Sequence, residues 1–80
     1  MRPEDILQFL RKRPFEPFRI HMSDGSAFEI QHPELAIVER SKVLVGVAGR
    51  RGPDGPVERT VFCALIHITR VEPVNGSAVP

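Results

Sequence analysis

The sequence predicts a mostly β protein, in which one N-terminal helix is followed by about five short antiparallel strands that form a small barrel. Apolar residues recur at helical spacing only near the N-terminus. From Phe18 onwards, short alternating or apolar runs are separated by turns that contain glycine or proline. The 80 residues suit one domain, which we place at residues 1–73, and the small polar segment 74–80 is expected to be a disordered tail.

The helix is predicted to run from about residue 3 to residue 12. Pro3 suits the first helical turn, where a missing N–H costs nothing, and an apolar stripe follows that consists of Ile6, Leu7, Phe9 and Leu10. Pro14 disfavours helical dihedrals at the residue before it, so the helix should end there. Three basic residues complement the negative end of the helix dipole and are also candidate phosphate or RNA contacts: Arg11, Lys12 and Arg13.

A β-hairpin is predicted for the next segment, with Phe15 and Phe18 as anchors between helix and sheet. A three-residue loop, Ser23–Gly25, pairs Ile20 with Phe28 and Phe18 with Ile30, which keeps the large apolar side chains on one face. This loop requires a type I turn followed by a left-handed Gly25. The opposite, polar face of the hairpin and the histidine that follows it are our candidate partner-binding residues: Arg19, His21, Glu29, Gln31 and His32.

The remaining chain is predicted to be strands separated by turns. Pairing should break at Pro33, which cannot donate to a ladder, and the glycine-rich loop 49–56 carries two further candidate phosphate contacts, Arg50 and Arg51. The run Val61–Ile66 is apolar on both faces, so its second face must be covered by the helix or by another subunit. Cys63 lies inside this run, where core packing is expected.

Composition limits the functions worth considering. The formal net charge of +1 lacks the broad positive field of a general nucleic-acid binder, and one cysteine excludes an internal disulfide. No apolar run is long enough to cross a bilayer, so we expect a soluble cytoplasmic protein without membrane contacts. The spacing of His21, His32 and His67 matches no metal-ligand motif, and the serines lie in turns, so we assign no catalytic residue, metal ligand or cofactor.

The order of one short helix and about five strands, with a glycine turn after the first strand, resembles the SH3- and Sm-like small barrels, in particular that of the bacterial Hfq proteins. The ending Ile68–Pro73 is similar to the final strand of that family. The family's RNA-contact motif would fall near Leu65–His67, where this chain has apolar residues and a displaced histidine. The pattern RPFEPFRIHMSDG, HPE and HITRVEP also resembles a recurring family of short bacterial proteins of unassigned function.

Two hypotheses follow. The first is a non-enzymatic interaction module that forms homo-oligomers through strand edges or its two-sided apolar strand and binds a protein or peptide partner. The second is an Sm-like RNA-binding protein whose basic residues, in the helix and in the loop 49–56, contact phosphates.

Overall fold

The computed structural model describes residues 1–49, 52 and 55–74. Within these residues the chain forms one helix and six strands, and the strands make two three-stranded antiparallel sheets. The predicted class, mostly β with one N-terminal helix, is therefore confirmed.

Helix α1 spans Pro3–Arg11, one residue shorter than expected. At its start the Arg2 N–H donates to Asp5 Oδ2 at 2.9 Å, and the Asp5 N–H donates to the Arg2 carbonyl at 3.0 Å. At its end, Arg13 Nη1 donates to the carbonyls of Leu10 and Lys12 at 2.9 and 2.8 Å. The apolar stripe faces inward, since Ile6 is fully buried.

Sheet I contains β1 (Phe18–Met22), β2 (Ala27–Ile30) and β6 (Ile68–Pro73), in the order β2-β1-β6. The hairpin register is the predicted one, with Phe18 opposite Ile30 and Ile20 opposite Phe28. The loop is also confirmed, since Gly25 has φ +91° and donates to the Met22 carbonyl at 3.0 Å.

Sheet II contains β3 (Ala36–Val38), β4 (Lys42–Ala48) and β5 (Val57–Ala64), in the order β3-β4-β5. Two short 3₁₀ turns, Pro33–Leu35 and Leu65–His67, carry the chain between the sheets. The first turn confirms the predicted break at Pro33. The second divides the segment after Val61 into two strands, because the chain must leave sheet II to reach sheet I.

One apolar core lies between the two sheets and α1. Its fully buried large side chains come from all three layers: Ile6, Phe18, Ile20, Ile30, Val43, Val45 and Cys63. The Phe18 ring contacts the helix through Phe9, with ring centroids 5.1 Å apart, and contacts Phe15 at 6.1 Å. Phe15 and Phe18 thus link the helix to the sheet as expected. Within the described residues the strand ladders form two separate sheets, and no ladder closes them into a barrel.

The C-terminal end of the domain is fixed by Val74, whose N–H donates to the Pro17 carbonyl at 3.0 Å. The expectation of a disordered tail over residues 74–80 stays a prediction. The rest of that segment, 75–80, lies outside the described residues.

Candidate functional site

Most of the candidate residues of the hairpin come together on the outer side of sheet I, and we call this surface the polar face. It consists of Arg19, His21, Glu29, Gln31, Arg70 and Glu72. Arg19 on the central strand lies opposite both Glu29 and Glu72 in the strand register. Arg19 Nη2 is hydrogen-bonded to Glu29 Oε2, and Gln31 Nε2 donates to Glu29 Oε1 at 2.9 Å.

The second half of the polar face is organised around Glu72. His21 Nε2 lies 2.6 Å from Glu72 Oε1, and Arg70 Nη2 lies 3.6 Å from the same oxygen. The hydrogen bond from His21 lowers the pKa of Glu72, with a smaller contribution from Arg70. The hydrogen bond from Arg19 likewise lowers the pKa of Glu29. The face therefore holds two arginines and two glutamates in mutual pairs, and a partner would have to replace these contacts to bind there.

His32 follows the hairpin in the chain. It is half-buried and immediately precedes the 3₁₀ turn Pro33–Leu35, where its carbonyl accepts the Leu35 N–H at 3.0 Å. The partner-binding role of His32 and of the polar face stays a prediction.

The basic candidates of the helix differ in their surroundings. Arg13 caps the helix, as described above, and Lys12 Nζ pairs with Glu16 Oε1 at 2.9 Å. Arg11 is exposed in the last helical turn. Arg50 and Arg51 lie outside the described residues. The role of the five basic residues as phosphate contacts stays a prediction.

A row of apolar side chains crosses the outer side of sheet II. Leu44 on β4 lies opposite Ile37 on β3 and Phe62 on β5, and we call these three residues the outer apolar row. Ile37 is 60% exposed and Phe62 is 65% exposed. Their neighbours along the strands point to the core, since Val43 and Cys63 are fully buried. Sheet II is thus apolar on both sides, as the run Val61–Ile66 predicted for β5.

Helix α1 packs on the inner side of the fold and leaves the outer apolar row uncovered. The helix is therefore not the cover of this second face, and coverage by another subunit stays a prediction. Sequence reasoning did not identify Ile37 and Leu44 as part of the surface, because the register between β3 and β4 was not predicted. The alternation of Val43 and Val45 with Leu44 was the signal that could have shown it.

A groove opens beside the edge of β5, between this strand and the hairpin loop of sheet I. The groove has a volume of about 320 Å³, and we call it the edge groove. Its lining consists of Met22, Ser23, Asp24, Phe62, Ala64 and His67. The Ser23 N–H donates to the His67 carbonyl at 2.8 Å, which ties the loop to the 3₁₀ turn after β5.

Asp24 gives the edge groove a negative charge. Its Oδ1 accepts hydrogen bonds from the Ser26 hydroxyl at 2.6 Å and from the Ser26 N–H at 2.9 Å. These bonds lower the pKa of Asp24, so the carboxylate is ionised at neutral pH. Burial raises the pKa of the nearby Cys63 thiol, and the charge of Asp24 adds to that effect.

Serine, histidine and aspartate meet in this groove without the geometry of a catalytic triad. Ser23 Oγ lies 3.4 Å from His67 Nδ1, at the long end of hydrogen-bond distances. A triad also needs a carboxylate that orients the imidazole. Among the described contacts, the hydrogen-bond partner of Asp24 is Ser26 and not His67.

No cluster of three or more potential metal ligands occurs in the part of the chain that the structure describes. No helix formed by the described residues has the length and apolarity needed to cross a membrane.

Comparisons with protein families, with curated proteins and with solved structures found no match.

Proposed function

We propose that the protein is a small, non-enzymatic interaction module that binds an extended segment of a partner protein along the edge of β5. In this proposal the two sheets are the halves of a small SH3- or Sm-like barrel. The edge groove is the opening of that barrel, where the strands of the two halves do not pair. The single core shared by both sheets supports this interpretation.

The observation that carries the proposal is that only one half of the edge strand β5 is protected against pairing with another strand. This strand, Val57–Ala64, pairs with β4 and, within the described residues, with no second strand. Charged residues and register shifts protect natural edge strands against unwanted pairing. The first half of β5 has both devices, since it carries Glu58 and Arg59 and its pairing shifts at Val47/Ala48.

The second half of β5 has neither device. Val61–Ala64 contains no charge and no proline, and it lies beside the edge groove. An extended peptide that adds to such an edge gains main-chain hydrogen bonds, while alternate side chains enter the neighbouring pockets. The unprotected half of β5 is therefore the part suited to strand addition.

The groove also indicates what kind of segment would bind. Phe62, Met22 and Ala64 offer an apolar wall, and Asp24 offers a fixed negative charge. The volume of the groove is near the lower end of the range of roughly 300–1,000 Å³ that ligand pockets occupy. We therefore expect an extended segment with an apolar side chain for the wall and a lysine or arginine near Asp24.

A phage-displayed library of short random peptides tests this proposal. Selection on the wild-type protein should enrich sequences in which an apolar residue and a basic residue lie two positions apart, on the same side of an extended chain. The most enriched peptide is then measured by isothermal titration calorimetry. Phe62→Ser should weaken its binding at least about tenfold, since truncating an interface anchor typically costs more than 1 kcal/mol.

Ile66→Ser is the matched control. Ile66 is 84% exposed but is absent from the lining of the groove, so this variant should bind the peptide as the wild type does. Asp24→Asn retains an oxygen acceptor for Ser26 and should weaken binding of basic peptides only. Equal losses for Phe62→Ser and Ile66→Ser would contradict the proposal, as would a selection that enriches nothing.

The alternative function, RNA binding, predicts a different experimental result. It requires Arg11, Lys12, Arg13, Arg50 and Arg51 to act together as phosphate contacts. A single-stranded RNA should then bind with a log–log salt slope of about −0.7 for each phosphate neutralised. Such binding, together with a failed peptide selection, would replace the peptide proposal with the RNA one.

A further inference from the structure

We propose that the outer side of sheet II is a second interface, at which two copies of this chain pack face to face through the outer apolar row. This inference does not depend on peptide binding at the edge groove. Ile37 lies on β3, which is the edge strand of sheet II on the opposite side from β5.

The apolar surface on this side of the sheet is larger than the row alone. Gly46 lies two residues after Leu44 on β4, and a Cβ built there would meet Val57 Cγ2 at 3.0 Å and Leu35 Cδ2 at 3.5 Å. Val57 therefore lies over the outer side of β4 and extends the apolar surface beyond Leu44, while Leu35 also packs against the core. Val57 is 47% exposed.

The size of this surface matches what a dimer needs. A phenylalanine that is 65% exposed leaves more than about 100 Å² accessible, and with Ile37 at 60% and Val57 at 47% the three side chains leave on the order of 300 Å² of apolar area. A standard interface buries roughly 800 Å² per partner, a little over half of it apolar. One copy of this surface therefore supplies most of the apolar area that a standard interface takes from each partner.

The charges at the border of the surface permit a second copy to approach. Lys42 Nζ pairs with Glu39 Oε1 at 3.0 Å and lies 5.8 Å from the centroid of the Phe62 ring. The cation is thus compensated within its own chain. Because Lys42 is paired with Glu39, two identical surfaces can meet without strong repulsion between their lysines.

The geometry of the row favours a two-fold dimer. Leu44 is the middle residue of the row, between Ile37 and Phe62. A two-fold axis that passes close to Leu44 lets each copy bury the whole row of the other, as an isologous interface requires. Small chains also gain stability from such an interface, because their own cores are limited.

Sedimentation equilibrium of three proteins tests the inference: the wild type, Ile37→Asp and Ile66→Asp. The wild type should form dimers, and Ile37→Asp should raise the dimer dissociation constant at least about tenfold, because a charge would be buried without a partner. Ile66→Asp adds the same charge at a more exposed isoleucine outside the row and should dimerise as the wild type does.

Two further measurements guard against a folding defect. Circular dichroism reports whether Ile37→Asp is folded, and Ile37→Thr keeps a β-branched side chain if the aspartate is not tolerated. The melting temperature of the wild type should rise with protein concentration, whereas that of the Ile37 variant should not. A wild type that stays monomeric at hundreds of micromolar, or equal effects of the two aspartates, would overturn the inference. Phe62 belongs to both surfaces, so peptide binding is measured separately on the Ile37 variant, whose altered side chain is absent from the lining of the groove.

Discussion

His21 and Glu72 are joined by a 2.6 Å hydrogen bond between Nε2 and Oε1, although they lie 51 positions apart in the sequence. The bond connects the first strand of the chain to the last, across the middle of sheet I. The hydrogen bond can therefore form only when β1 and β6 are paired, and it is lost when the protein unfolds.

The hydrogen bond makes the stability of the protein depend on pH. The pKa of Glu72 is lowered from its ordinary value of 4.5, so the folded state favours the ionised carboxylate. The stabilisation is fully present above that ordinary value and is lost as the pH falls through the lowered pKa. Urea unfolding of the wild type and of Glu72→Gln should show the largest difference above about pH 5 and a smaller one towards pH 2. A difference that does not change with pH would contradict this account.

Replacing Gly25 should destabilise the hairpin through backbone conformation alone. Its φ of +91° is unfavourable for side-chain-bearing residues, but a Cβ at this position would meet no atom within 4 Å. We expect Gly25→Ala to lower the free energy of unfolding by about 1–2 kcal/mol, measured by chemical denaturation. Gly25→Asn should cost less, because asparagine adopts positive φ more readily than alanine does. Equal losses for the two variants would argue against a conformational cause.

The core should respond to truncation much more than the surface does. Ile20 is fully buried between the sheets, and Ile20→Ala should lower the free energy of unfolding by about 2–5 kcal/mol. Ile66→Ala removes the same atoms from a site that is 84% exposed, and the change should stay within about 0.5 kcal/mol. Comparable losses in urea titrations of the two variants would mean that the inner and outer sides are wrongly assigned.

Arg13 should contribute to the stability of the folded protein, whereas Arg11, two residues earlier, should not. Its guanidinium donates to the carbonyls of Leu10 and Lys12, which lie at the end of the helix. We expect Arg13→Ala to lower the free energy of unfolding by up to about 1 kcal/mol and Arg11→Ala to change it little. Thermal unfolding followed by circular dichroism separates the two cases. A larger effect of Arg11→Ala would contradict the capping role.

The hairpin could be predicted in detail because one physical requirement dominates it. Placing Phe18, Ile20, Phe28 and Ile30 on one face leaves one register, and that register fixes the loop and the conformation of Gly25. Proline chemistry likewise predicted the break at Pro33. These features depend on residues that are close together in the sequence.

The two outer surfaces could not be predicted as well, because they depend on how distant strands meet. The sequence showed that Arg19 and Glu29 share a face, but Glu72 joins them only through the pairing of β1 with β6. The candidates therefore pair with one another, and a partner would have to replace these contacts to bind there. The outer apolar row similarly requires the registers of β3, β4 and β5.

Hydrogen exchange of the backbone amides, measured by NMR with and without the most enriched selected peptide, tests the central claim most directly. Strand addition would give new hydrogen bonds to those amides of Val61–Ala64 that point away from β4. We predict that saturating peptide slows the exchange of these amides and leaves those of Arg19 and Glu29 unchanged. Slowed exchange on the strands of the polar face, with no change along β5, would contradict the account.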